Sequence, residues 1–186
     1  MDQIRRAALE LFRERGFHAT SMVDIGARLR ISGPALYRHF ANKEQILRSA
    51  IEDQLDETTA ETRQIMREAA SPLEALERLI AAGVHRVLEY PELAVAAMRD
   101  QPLLSHETRL FIGRAERHII EDWVHVVAQL RPELSDREAR TIVQGVIGLP
   151  QWMVQYDGGL PREQLERRMQ LMMLGAVLHD APRSTR

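Results

Sequence analysis

The chain has 186 residues, 45% of them apolar and 28% charged, enough for one sizeable domain or for a small domain joined to a larger one. It contains no cysteine, which excludes disulfides, thiolate metal sites and thiol redox chemistry. Net charge is only −2, but residues 1–50 hold nine Lys and Arg against five Asp and Glu, so a head of +4 precedes a body of −6; such a head suits a polyanion and such a body avoids one.

Apolar residues recur at helical spacing along nearly the whole chain, and no stretch sustains the alternation of a half-buried strand, so the fold is expected to be all-α. Ile4, Ala8, Leu11 and Phe12 define a first helix that stops at Gly16. Thr20 or Ser21 caps a second, short helix whose inward positions are Met22, Ile25 and Leu29. Ser32 as cap and Pro34 at an early position start a third, which runs to about Phe40. Asn42 with Gln45 resembles a capping box at the head of a long fourth helix. Further on, "ASPLEAL" opens a helix carrying Leu76, Leu79, Ile80, Val84 and Val87, and "EYPELAVAAM" breaks and restarts it. "QPLLSHET" opens a longer helix through Phe111 and Trp123 to Leu130, while "RPELSDRE" and "DGGLPREQ" delimit two more. Pro150 should kink or interrupt the first of these two, and Arg183 to Arg186 read as a frayed tail.

The short third helix raises the functional question. Leu36 and Phe40, four apart, pin it to a core, which leaves Gly33, Ala35, Tyr37, Arg38 and His39 on or near the surface. Three short helices with a tight turn between the second and third make a helix-turn-helix, which lays its last helix in the major groove. Small residues let the backbone approach DNA, and Tyr, Arg and His reach phosphates or base acceptors. Singly, Tyr37 could be a core edge and Lys43 an exposed charge; together the spacing favours a DNA-reading surface.

The stretch "ALELFRERGFHATSMVDIGARLRISGPALYRHFANKEQIL" resembles the DNA-binding head of the TetR family of transcriptional repressors, most specifically in "LYRHF" followed by "NKEQIL". The resemblance implies a three-helix DNA-binding head over 1–46 and a helical ligand-binding and dimerisation body over 47–186. It implies DNA contacts from Thr20, Ser21, Ser32, Gly33, Pro34, Ala35, Tyr37, Arg38, His39 and Lys43, with Thr20 as a phosphate-touching cap and Tyr37 and Lys43 on phosphates. It further implies a homodimer on a near-palindromic double-stranded operator, released by a small hydrophobic ligand. Two departures stand out: Gly26 where the family usually has Ala, and Arg30 where it usually has Gly.

In the body, Leu79, Val87, Met98, Phe111, Ala115, His118, Gln144 and Ile147 offer a mostly apolar ligand site with sparse polar anchors, against the plain alternative of a helical core with a polar rim. Ile142, Val146 and Met153 with Leu165, Met169, Met172 and Ala176 form apolar stripes suited to a four-helix dimer interface. His118, Asp122 and His125 share a helical face and leave a metal-responsive alternative open, although no fourth ligand is evident. There is no Gly-rich phosphate loop, nucleophile elbow or zinc-protease pair, so neither catalytic residues nor a cofactor are expected, and a helical enzyme is the alternative of another class. No apolar run approaches the ~20 residues of a membrane span, and the first residues lack a secretory leader's pattern, so the expected location is the cytoplasm, with no membrane partner.

Overall fold

In the computed structural model, which describes residues 3–92, 94, 104–156 and 158–179, regular structure is helical throughout and no strand occurs among those residues. The described chain gathers into two compact units, Met1–Thr58 with Tyr90–Ala115, and Thr59–Glu89 with Glu116–Arg186.

In the first unit, α1 (Gln3–Arg15) buries Ala8, Leu11 and Phe12 and stops at Gly16, whose φ of 91° is left-handed and whose N–H closes on Phe12 O at 2.9 Å. The next helix, α2 (Met22–Leu29), is capped by Ser21 alone: Ser21 Oγ accepts from Asp24 N at 3.2 Å, and Asp24 Oδ2 accepts from Ser21 N at 2.8 Å. Its C-cap is Arg30, at φ 56° and ψ 36°, whose N–H donates to Ala27 O and Gly26 O. A side chain in that conformation costs roughly 1 kcal/mol relative to glycine. Gly26 sits beneath the same turn, where an added Cβ would lie 3.2 Å from Ile31 O, so the glycine is what lets the turn close this tightly.

The third helix, α3 (Gly33–Tyr37), is shorter than its pattern predicts. Leu36 O accepts from both His39 N (3.0 Å) and Phe40 N (3.1 Å), which tightens the chain into a turn, so Arg38 and His39 follow the helix rather than lie in it. Five residues cannot hold a helix in water by themselves. What holds this one is Leu36, fully buried among Leu11, Phe12, Ile25, Ile46 and Leu47, a burial that contributes about 1.5–3 kcal/mol. The long α4 (Lys43–Glu68) begins with Asn42 Oδ1 accepting from Gln45 N at 2.8 Å, while Gln45 Oε1 reaches back to Ala41 N at 2.6 Å, one residue earlier than a capping box would.

The second unit is built from the end of α4, α5 (Pro72–Glu89), the later part of α6 (His106–Leu130), α7 (Asp136–Met153) and α8 (Arg162–Leu178). Leu76, Leu79, Ile80 and Val84 of α5 meet Trp123 and Val127 of α6, Val143 and Val146 of α7, and Leu165, Met169, Met173 and Val177 of α8 in one core. This corrects part of the expected dimer stripe. Val146, Leu165 and Met169 are spent inside the subunit, because α8 turns that face onto α5 and α7, and only Ile142, Met153, Met172 and Ala176 keep exposed surface. Pro150 does not interrupt α7: the helix continues to Met153, with Pro150 buried inside it. The buried Arg131 donates to Val177 O at 2.7 Å and so satisfies a carbonyl at the C-terminal end of α8. The break expected in "EYPELAVAAM" falls largely outside the described residues, as does the tail at Arg183–Arg186. No helix among the described residues is long and apolar enough to cross a membrane.

Candidate nucleic-acid interface

The helix-turn-helix presents its polar residues outward. Ser32, Pro34, Tyr37, Arg38 and His39 are exposed, Tyr37 by 55%, whereas Gly33 and Ala35 are half-buried. A Cβ added at Gly33 would meet nothing within 4 Å, so no internal packing demands a glycine there. Ser32 caps α3 by position, yet its hydroxyl makes no cap bond, which leaves it free for an outside partner.

Two expected contacts are placed differently. Thr20 is 1% exposed; its hydroxyl points inward to Gly16 O (2.9 Å) and Leu11 O (3.3 Å), so it can neither cap α2 nor present that hydroxyl to a phosphate. Ser21 is the exposed cap. Lys43 turns its ammonium onto three carbonyls, Phe17 O (2.7 Å), Thr20 O (2.9 Å) and His18 O (3.1 Å), and sits 4.6 Å from the centre of the Phe17 ring. Three donors meeting three acceptors make it a clamp between the start of α4 and the 17–20 loop.

Charge pairing singles out the same face. Arg5 pairs with Asp53, Arg6 with Glu10, Arg13 with Glu92, Arg15 with Asp24, Arg28 with Glu10 and Glu14, and Arg48 with Glu52 and Glu107. The hydrogen bond from Arg28 holds the Glu14 carboxyl below its usual range, and the Ser21 hydroxyl does the same for Asp24. Among the described residues, the side chains of Arg30, Arg38 and His39 have no such partner, and all three are exposed. In the sequence Arg30 stands out as a departure in the turn and as one of the nine basic residues of the head. Positional pattern shows only the i,i+4 pairs Arg6–Glu10 and Arg48–Glu52, because the acids that meet Arg5, Arg13, Arg15 and Arg28 come from elsewhere in the fold.

In the body, Leu79 is closed into the core and Val87 and Ile147 are half-buried in the second unit. His118 and Gln144 are exposed and do not turn into that core, as a ligand anchor there would. Phe111 belongs to the first unit, where the Arg48 guanidinium lies 4.9 Å from its ring centre. Met98 and the Ala115 side chain lie outside the described residues. His118, Asp122 and His125 do not form a group able to hold a metal; among the described residues none does, and His125 instead pairs with Gln129 at 2.9 Å. Besides Leu73 and Leu110, exposed apolar groups of the body gather toward the far end of the chain: Trp152 stacked on Tyr156 (6.2 Å between ring centres, 14° between planes), Leu160, Leu171 and Met172.

A helix-turn-helix with an unpaired cationic face, carried by an otherwise helical chain, defines a DNA-binding transcriptional regulator. The family model for bacterial regulatory proteins of the tetR family matches residues 4–50. Over 186 aligned residues the chain is 26% identical to the HTH-type transcriptional repressor KstR2 of Mycobacterium tuberculosis (strain CDC 1551 / Oshkosh), covering 96% of this chain and 92% of KstR2. The solved structure of KstR2, the ketosteroid transcriptional regulator of that species, superposes with a TM-score of 0.81 at 25% identity, over 96% of this chain and 94% of its own. PfmR of Thermus thermophilus gives 0.78 at 27%, over 93% and 97%. AibR, solved with isovaleryl coenzyme A and operator DNA, shares the fold at 0.75 and 23% identity, over 91% and 95%. Residues 4–50 thus carry the DNA-binding head of the tetR family, and over nearly its full length the chain is similar to transcriptional regulators of that kind.

Proposed function

We propose that the protein is a homodimeric repressor that binds a near-palindromic operator and is released from it by a small hydrophobic ligand. The observation that carries this reading is the exposed, unpaired cationic face of the helix-turn-helix. On it Tyr37 and Ser21 meet phosphates, Gly33, Pro34 and Ala35 allow close backbone approach, and Ser32, Arg38 and His39 reach base edges. Lys43 and Thr20 act indirectly, by fixing the loop that places Ser21. These residues all fall within 1–46, and the dimer and ligand surfaces within 47–186. KstR2, a relative over nearly its full length, is a repressor.

Dimerisation is assigned to the apolar surface left on α7 and α8: Ile142, Trp152, Met153, Tyr156, Leu171, Met172 and Ala176. Large aromatic and methionine side chains left uncovered on a subunit are what an isologous interface buries. Two recognition elements held ~34–36 Å apart would then meet successive major grooves. Ligand binding is assigned to the body near Val87 and Ile147. The fold accommodates both an acyl thioester and operator DNA in AibR. Full release requires the ligand to favour the DNA-incompetent form by ~10⁴, about 5.5 kcal/mol.

Selection of bound fragments from random duplex DNA, followed by titration of the enriched site, tests the reading. A palindromic motif bound by two subunits is expected. Arg38→Ala should change which sequence is preferred, and a ligand that releases DNA should itself be bound more weakly, by the same factor, when operator is present. No enriched motif, or a subunit that stays monomeric on its selected site, would overturn the proposal.

A further inference from the structure

We infer that Arg30, the residue of the turn itself, is a DNA-phosphate contact that this chain has in place of the turn glycine, an assignment that rests on the DNA-binding reading above. Arg30 is the one non-glycine residue with positive φ among the described residues, at φ 56° and ψ 36°. A glycine would occupy that position without strain, so the backbone gives no reason for an arginine. Its side chain gives no internal reason either. It is exposed, and among the described residues it makes no hydrogen bond or ion pair.

The acids around α1 and α2 are already engaged. Glu10 and Glu14 take Arg28, and Asp24 takes the Ser21 N–H and Arg15. A strained position occupied by a long cation with no internal role is explained by an external anion. The place in the fold identifies that anion. The turn joins the helix that crosses the DNA backbone to the helix that enters the groove, so an outward side chain there meets the rim, where phosphates lie. A planar guanidinium matches a phosphate with two parallel N–H donors, and needs no particular base to do so. The contact therefore adds affinity for every sequence and contributes little to choice among them.

The test uses the full chain with Arg30→Gly, Arg30→Lys, Arg38→Ala and, as a control for lost charge, Arg63→Ala from the later part of α4. Binding to a labelled duplex of random sequence is measured by anisotropy across a salt series, with thermal melting in parallel. For Arg30→Gly, a weakening of roughly three- to tenfold is expected for a lost charged hydrogen bond at a solvated site. The slope of log affinity on log salt should fall by about 1.8, one phosphate from each of two subunits. The melting temperature should rise by about 2–4 °C as the strain is relieved. Arg30→Lys should keep the slope. Loss of affinity coupled to a gain in stability is an outcome a structural role cannot give. If Arg38→Ala weakens binding while Arg30→Gly leaves affinity and slope intact, or costs no more than Arg63→Ala, this inference falls and the DNA-binding reading stands. A lowered melting temperature would make Arg30 structural and overturn the inference too. If neither Arg38→Ala nor Arg30→Gly affects binding, the DNA-binding reading itself is wrong.

Discussion

The two compact units leave different kinds of surface uncovered. In the first, Val23 and Leu110 are isolated exposed apolar side chains, and what gathers on one face without a partner is cationic and polar: Arg30, Arg38, His39 and the exposed face of Tyr37. In the second, Arg140 pairs with Glu121 and Asp136, Arg78 with Glu68 and Arg162 with Glu89, other arginines such as Arg63, Arg137 and Arg167 are exposed, and the uncovered apolar groups gather at Trp152, Tyr156, Leu171 and Met172. Each remainder indicates its own partner. Unpaired cations call for a polyanion, whereas an aromatic and methionine patch calls for another protein surface or an apolar molecule.

The strongest way to break the contrast is at Leu36, because the reading face depends on that single buried side chain. Leu36→Ala should destabilise the first unit by about 2–5 kcal/mol. Denaturant unfolding followed by hydrogen exchange should show protection lost in α1–α3 and retained in α5, α7 and α8; uniform loss would mean that the units do not fold separately. Next in size, Met172→Glu places charge in the apolar remainder of the second unit. Sedimentation should show the dimer weakened by about a hundredfold or more, as expected for an unpaired charge at a covered interface, with the melting of the isolated subunit little changed.

The smallest expected effect is acid sensitivity at the α2 cap. The Asp24 carboxyl is held below its ordinary value of 3.8, first by the Ser21 hydroxyl and then by the Ser21 N–H. Its folded pKa is depressed, so its stabilisation is complete above the unfolded value and is lost as pH falls below about 4. Asp24→Asn should therefore flatten the acid limb of the stability curve slightly. An unchanged acid limb in thermal melts from pH 6 to pH 3 would show that the cap contributes nothing there.

Much of this organisation is legible in the chain. Helical period, the Gly16 stop and the Pro34 start all appear where local chemistry dictates, because each depends on residues a few positions apart. The helix-turn-helix could be read for the same reason. Side-chain destinations were less accessible. Thr20 and Ser21 are equally good caps by composition, and only the carbonyls of Leu11 and Gly16 decide that Thr20 turns inward. The Lys43 clamp needs three carbonyls more than 20 residues away. Leu165 and Met169 carry the same apolar signal as Met172, and which of them faces the subunit core depends on how α8 is rotated against α5 and α7.

Gly26 and Arg30 also bear on how this chain can change. A methyl group at position 26 would meet Ile31 O at 3.2 Å while the turn is closed by Arg30 in its left-handed conformation. Positions in contact do not contribute independently, so the cost of alanine at 26 is set by what stands at 30. The two departures from the usual family pattern therefore share one turn, and exchanging both is expected to change stability by an amount different from the sum of the single exchanges.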